Sequence, residues 1–158
     1  FIQSINAAVM KQTGSVYQTV FGELDACKGV FRKGNVSAGN TYFVGYDKVD
    51  GLVNKLCNTL SEKIVADISV TDKINICFDA HFDLVTIHPF YDGNGRTSRL
   101  LMNYLQLIFN LPLSIVFKED KAAYFEALQQ TRKEEDIDLY GTRCNCEGAE
   151  TGEWRNFE

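Results

Sequence analysis

One stretch constrains this chain more than any other: His88-Pro89-Phe90-Tyr91-Asp92-Gly93-Asn94-Gly95-Arg96-Thr97-Ser98-Arg99, which gathers a base, a carboxylate, a glycine-rich turn and two arginines. Ahead of it, Thr71 to Ile87 carries Ile74, Phe78, Phe82 and Val85 at the spacing of one buried helical stripe, and Pro89 biases His88 away from helical dihedrals. A helix is therefore expected to end near His88. Beyond it, Gly93-Asn94-Gly95 can adopt the positive dihedrals that turn successive backbone N–H groups toward one point, an anion nest. From about Gly95 to Asn110, Leu100, Leu101, Tyr104, Leu105 and Ile108 recur at helical spacing, so the nest should open onto a helix N-terminus, where a phosphate sits well.

The charged residues sharpen that expectation. Cations in the first turn of a helix oppose its dipole at a cost of about 0.3 to 1 kcal/mol each. Arg96 and Arg99 accept that cost twice on one face, which points to an anion between them, and guanidinium forks match phosphate oxygens. Asp92 beside this cationic patch is the kind of hard carboxylate that holds Mg²⁺ against bound phosphates. His88 supplies a side chain whose ordinary pKa lies near neutrality, suited to taking a proton from an incoming hydroxyl. Each residue also has a plainer reading: a histidine capping a helix, an Asp-Gly turn, a solvated arginine. Their joint occurrence at this spacing is what singles them out.

The stretch resembles the signature of the Fic family, His-Pro-Phe-x-(Asp/Glu)-Gly-Asn-(Gly/Lys)-Arg-x-x-Arg, and matches it at every specified position. The resemblance extends more loosely from about Ile5 to Leu139, with Gly29-Val30-Phe31-Arg32 similar to the Gly-x-Phe-Arg segment that precedes the family's flap. It implies a mainly α fold, a helical bundle with a short β-hairpin flap near the active site. It also implies transfer of AMP from ATP to a hydroxyl side chain of another protein, with pyrophosphate leaving. On that resemblance His88 would be the general base and Asp92 the Mg²⁺ ligand. Gly93, Asn94 and Gly95 would form the anion hole, with Asn94 near the α-phosphate, and Arg96 and Arg99 would hold the β- and γ-phosphates. Phe90 would anchor the loop in the core. A lysine at position 95 would resemble the family member that phosphorylates its target; Gly95 favours AMP transfer.

Bulk properties bound the rest. A length of 158 residues with 45% hydrophobic composition suits one globular domain, expected over residues 1–140, with an irregular tail at 141–158. A net charge of -5 argues against a nucleic-acid partner, which would require a basic face. Five cysteines without metal-type spacing suit free thiols in a reducing compartment such as the cytoplasm. The chain opens at Phe1, as expected of a fragment or processed product, and shows no signal-peptide pattern. The apolar run from Leu100 to Phe117 is interrupted by Asn103, Gln106, Asn110, Pro112 and Ser114, so it reads as a buried helix ending near Asn110 rather than a membrane span.

Taken in order, residues 1–13 read as a helix with Gly14 as its C-cap, and Ser15 to Cys27 is ambiguous. Between Gly29 and Gly45, β-branched and aromatic residues flank Ser37-Ala38-Gly39-Asn40, a short hairpin. Residues 34 to 41 resemble a P-loop with Asn40 in the lysine position, a substitution that removes the charge from the phosphates. The resemblance makes this segment the flap, where a target protein would add a strand near residues 35–44. Asp47 to Ile68 and Lys118 to Arg132 read as helices, the second with Ala122, Phe125 and Leu128 inward. His81 is expected to be a hydrogen-bonded packing histidine rather than a metal ligand.

The family's inhibitory helix, Ser/Thr-x-x-x-Glu-Gly/Asn, is met only in part. Thr19 to Glu23 and Thr131 to Glu135 lack the last residue, and Arg143 stands where Cys146-Glu147-Gly148 needs Ser or Thr. Inhibition would then come from a separate protein or a missing N-terminal segment. A catalytically silent nucleotide-binding or adaptor module, and an enzyme transferring another phosphate-containing group, are the competing readings.

Overall fold

A computed structural model describes residues 1–134 apart from 21, 39 and 40, without the side chains of 133 and 134. The tail at 141–158, residue 135 and the cysteines at 144 and 146 lie outside the described residues. Helix α1 (Ile2–Met10) leads into a hairpin of β1 (Val16–Thr19) and β2 (Gly22–Asp25), then a short 3-10 turn at Ala26–Lys28. A second hairpin, β3 (Ser37–Ala38) and β4 (Thr41–Tyr42), precedes helices α2 (Tyr46–Ile64), α3 (Val70–Ile87), α4 (Asn94–Ile108) and α5 (Lys121–Glu134). The architecture is mainly α with two small antiparallel hairpins. Among the described residues no helix is long and apolar enough to cross a membrane.

Helix α3 is the centre. Ser69 caps it, its hydroxyl accepting the Asp72 N–H at 3.1 Å, a contact worth about 1 kcal/mol in such positions. Cys77, Ala80, Leu84 and Ile87 on one side of α3 pack with Val49, Val53, Leu56 and Leu60 of α2 and Leu101, Met102 and Leu105 of α4. Phe82 and Val85 on another side form a smaller cluster with Leu128 of α5. Three neighbours therefore bury α3 on two faces, whereas the single stripe expected from Ile74, Phe78, Phe82 and Val85 would serve only one; Ile74 is exposed.

Other expectations shift for similar reasons. The first helix stops at Met10, and Gly14, instead of capping it, donates its N–H to the Met10 carbonyl at 2.8 Å after a turn. The ambiguous segment after it becomes the β1–β2 hairpin, which pairs Val16 with Asp25 through Thr19 with Gly22. Helix α2 ends at Ile64, leaving Val65 in solvent. In α4 Leu101, Met102 and Leu105 are buried while Leu100, Tyr104 and Ile108 are exposed. In α5 Leu128 is buried, but Ala122 and Phe125 are exposed and Tyr124 turns inward instead. The close of α4 matches expectation. Asn110 takes φ 60, and the N–H groups of Leu111 and Asn110 return to the carbonyls of Gln106 at 2.8 Å and Leu107 at 3.1 Å, a left-handed helix stop. The P-loop resemblance dissolves, since that segment carries β3 and β4 paired as Ser37 to Tyr42 and Ala38 to Thr41.

His81 is buried, with Nε2 3.0 Å from the Tyr124 hydroxyl, as expected of a packing histidine. Burial, helped by the Arg99 charge, pulls its pKa down to about 4. An unfolded chain, with histidine near 6.5, binds more protons between those values, so stability rises with pH across about 4 to 6.5 and is lost on acidification. Urea midpoints should fall between pH 7 and pH 5, with His81 contributing about 2 kcal/mol to the loss. His81→Gln should lose correspondingly less over the same interval; an identical fall in both proteins would contradict the buried neutral imidazole.

Candidate active site

Helix α3 ends on His88, which adopts φ 52 and ψ 57, a left-handed conformation that histidine tolerates better than most side chains. Its N–H closes the helix on the Leu84 carbonyl at 3.1 Å. The imidazole lies 3.2 Å through Nδ1 from the Val85 carbonyl and stacks on Phe43 at 3.8 Å between centroids. A carbonyl only accepts, so Nδ1 carries the hydrogen and Nε2 keeps its lone pair. Burial pulls the His88 pKa down to about 4; the Val85 bond and Asp92 oppose the shift, and the Arg32 and Arg132 charges add to it. The ring is neutral at physiological pH, the state a base requires.

Beyond it the chain closes into a nest. Gly93 sits at φ 80, and a Cβ there would stand 2.7 Å from Met10 Sδ and 2.8 Å from Asn6 Nδ2, so both dihedral and space demand glycine. Asn6 in turn donates to the Asp92 carbonyl and to Thr97 Oγ1, each at 3.1 Å, tying α1 across the loop. The first helical bond of α4 runs from Thr97 N–H to the Gly93 carbonyl at 2.8 Å. The N–H groups of Asn94, Gly95 and Arg96 thus have no intrahelical acceptor and form the positive end of the helix dipole. The Asn94 side chain is committed elsewhere: it accepts from the Phe90 N–H at 2.9 Å and donates to the Phe90 carbonyl at 2.8 Å. Its backbone N–H, which has no intrahelical acceptor, is the donor available to an anion at the helix end. Phe90 lies in the main core, its ring 5.5 Å from Phe31, as the sequence suggested.

The charged side chains flank this nest. Asp92 Oδ1 accepts the Gly93 N–H and lies 3.5 Å from Arg96 Nη2, both side chains being about two-fifths exposed. Arg96 also reaches Thr13 Oγ1 at 2.8 Å and Met10 Sδ at 3.1 Å. The Arg99 guanidinium lies 5.8 Å from the Tyr124 ring centre. His88, Asp92, Gly93, Asn94, Gly95, Arg96 and Arg99 all line one open cleft of about 570 Å³, continued by Lys118, Lys121, Tyr124 and Phe125. That volume is within the range of small-molecule sites. Among the described residues no three His, Cys, Asp or Glu side chains cluster, and Asp92 is the one carboxylate on the cleft wall. A lone carboxylate beside an anion nest fits Mg²⁺, which takes most of its ligands from phosphates and water.

Three residues that the sequence reading gave no role shape the cleft. Arg32 is buried and donates to the carbonyls of His88 at 2.8 Å, Gly34 at 2.9 Å, Ile87 at 3.4 Å and Val44. Its own N–H meets the Pro89 carbonyl at 2.9 Å. Asn6 and Phe43 are the others. Asn6 left one trace, a polar residue within a pattern of Ile2, Ile5 and Val9, while nothing in the sequence marks Phe43 as a neighbour of His88.

The family model described as Fic/DOC family matches residues 1–106. The protein named Protein adenylyltransferase Fic from Drosophila erecta is 33% identical over 129 residues, covering 81% of this chain and 25% of the relative. The protein of the same name from Aedes aegypti is 34% identical over 121 residues, covering 76% and 24%. The chain spans about a quarter of the length of these curated relatives. A solved Fic domain containing signaling protein from Bacteroides thetaiotaomicron aligns with a TM-score of 0.65 and 21% identity over 85% of this chain and 47% of that one, a likeness of fold. With two thirds of its length matched by the family model, and with His88, Asp92, Gly93, Asn94, Gly95, Arg96 and Arg99 of the signature on one cleft, this chain belongs to the Fic/DOC family.

Proposed function

We propose that this domain transfers AMP from ATP to a hydroxyl side chain of another protein. The observation that carries the reading is a neutral imidazole, with its Nε2 lone pair unused, on the wall of the cleft that also holds three free helix-end N–H groups and two arginines. The name shared by the relatives, protein adenylyltransferase, agrees with it.

In this reading the N–H groups of Asn94, Gly95 and Arg96 receive phosphate oxygens, and Arg96 and Arg99 hold the outer phosphates. Asp92 would hold Mg²⁺, which when bound neutralises phosphate charge. His88 Nε2 takes the proton of the target hydroxyl as its oxygen bonds to the α-phosphorus. The bond from that phosphorus to the bridging oxygen breaks, and pyrophosphate leaves with the electron pair, steadied by the arginines and the helix dipole. The β3–β4 hairpin is the flap on which an extended target segment would add as a strand. No self-inhibiting helix accounts for control through residues 19 to 23, since Thr19 and Glu23 stand on β1 and β2. Inhibition by a separate protein or a preceding segment is the corresponding proposal.

Incubation with ATP labelled in the α-phosphate and a cell lysate tests the reading. His88→Ala should retain ATP binding and lose labelling by about 10² to 10⁴, the span typical of a removed general base. Undiminished labelling would refute it, and nucleotide binding without any labelling by the unaltered domain would favour the silent module. Gly93→Ala must place a methyl group against Met10 and Asn6 at φ 80, so its ATP affinity should drop about tenfold or more and its stability by about 1 to 3 kcal/mol. Calorimetric titration showing unchanged affinity would contradict the nest.

A further inference from the structure

We propose that Phe43 is a positioning residue for His88, holding the imidazole face-on from the flap while Arg132 of α5 holds Phe43 and the Val85 carbonyl behind it. The proposal rests on His88 being the base. The two rings lie 3.8 Å apart at 13°, closer and more nearly parallel than a loose aromatic contact. Phe43 follows β4 directly, and its N–H donates to the Val36 carbonyl at 3.3 Å, so the hairpin backbone sets where the ring lies. The Arg132 guanidinium lies 5.5 Å from the Phe43 ring centre, a cation–π distance. The same arginine reaches Thr86 Oγ1 at 3.4 Å and the Val85 carbonyl at 3.5 Å, the carbonyl that accepts His88 Nδ1–H.

Three elements thus converge on one ring. The end of α3 supplies the acceptor that selects the tautomer, the flap supplies a flat wall, and α5 fixes both. Without the wall the ring is free to turn about its Cβ–Cγ bond, which puts Cδ2 in place of Nδ1 opposite the Val85 carbonyl and removes the hydrogen bond that selects the Nδ1–H tautomer. Arg32, Arg132 and Asp92 are the charged groups that act on this imidazole, and none of them supplies a flat wall. A consequence follows for the target: a strand that docks on the flap bears on β4 and hence on the ring that orients the base, so acceptor binding and base geometry are mechanically coupled.

The chain contains two histidines, so histidine-selective ¹⁵N labelling gives one signal set for His88 and one for His81, which reports on folding. The unaltered chain should show the Nδ1–H tautomer at His88. Phe43→Leu should lose that preference while His81 stays unchanged. At saturating ATP its transfer to lysate proteins should fall about tenfold or more, with half-saturating ATP moved by less than about twofold. Phe43→Tyr should restore both properties. Retention of the Nδ1–H tautomer in Phe43→Leu, or a change confined to half-saturating ATP, would overturn the proposal. If Phe43→Leu fails to fold, as the His81 signal would reveal, Arg132→Gln takes its place: a shifted His88 tautomer supports the clamp and an unshifted one overturns it. Loss of the tautomer in Phe43→Leu, together with no transfer by the unaltered chain, would support the clamp and contradict the transferase reading.

Discussion

The guanidinium of Arg32 is buried without any carboxylate partner among the described residues, and its charge is met by backbone carbonyls alone. Burial lowers its pKa, with Tyr91 opposing the shift. Those carbonyls come from two segments: Gly34 and Val44 flank the β3–β4 hairpin, and Ile87 and His88 close α3. One side chain therefore ties the β3–β4 hairpin to the end of α3 that carries His88. Removing it would leave buried acceptors unpaired, at about 1 to 3 kcal/mol each, and would release both segments together.

From that brace the rest of the site follows by short steps. His88 can leave the helix in a left-handed turn because its carbonyl is held by Arg32 and its ring by Val85 and Phe43. Phe90 then drops into the core, and Asn94 folds back on the Phe90 backbone, pulling the start of α4 close to the end of α3. The tight turn requires glycine at 93, pressed under Asn6 and Met10 of α1. Two helix ends meet in this way, one offering an imidazole and the other a positive pole. Arg96 in the first turn of α4, unfavourable there in a helix alone, and Arg99 in the second turn gain their reason when an anion lies at this helix end.

Much of this was legible because the signature is linear: base, carboxylate, turn and arginines follow one another, and local spacing places them on one helix start. Arg32 was marked only as the end of the Gly-x-Phe-Arg segment, and the contacts of Asn6, Arg32 and Phe43 were not legible, since each acts on a residue more than forty positions away, a relation periodicity does not encode. The same blindness explains the misread faces. A helix such as α3, covered by α2 and α4 on one side and α5 on another, carries no single stripe. On α5 Tyr124 turns inward beside the expected Leu128, chosen by a partner, His81, rather than by apolarity, and Phe125 is left exposed on the cleft wall. The β1–β2 hairpin escaped because four-residue strands with little alternation give no periodic signal.

On the proposed activity, the cradle grips the outer phosphates and presents the α-phosphorus to the hydroxyl beside His88. Position-specific labelling tests this directly: lysate protein incubated with the domain and ATP labelled either in the α- or in the γ-phosphate, followed by mass spectrometry of one modified peptide. The predicted result is an AMP adduct on a hydroxyl side chain that keeps the α-label, with the γ-label released in pyrophosphate. Transfer of the γ-label to the peptide, or of phosphate without adenosine, would contradict it.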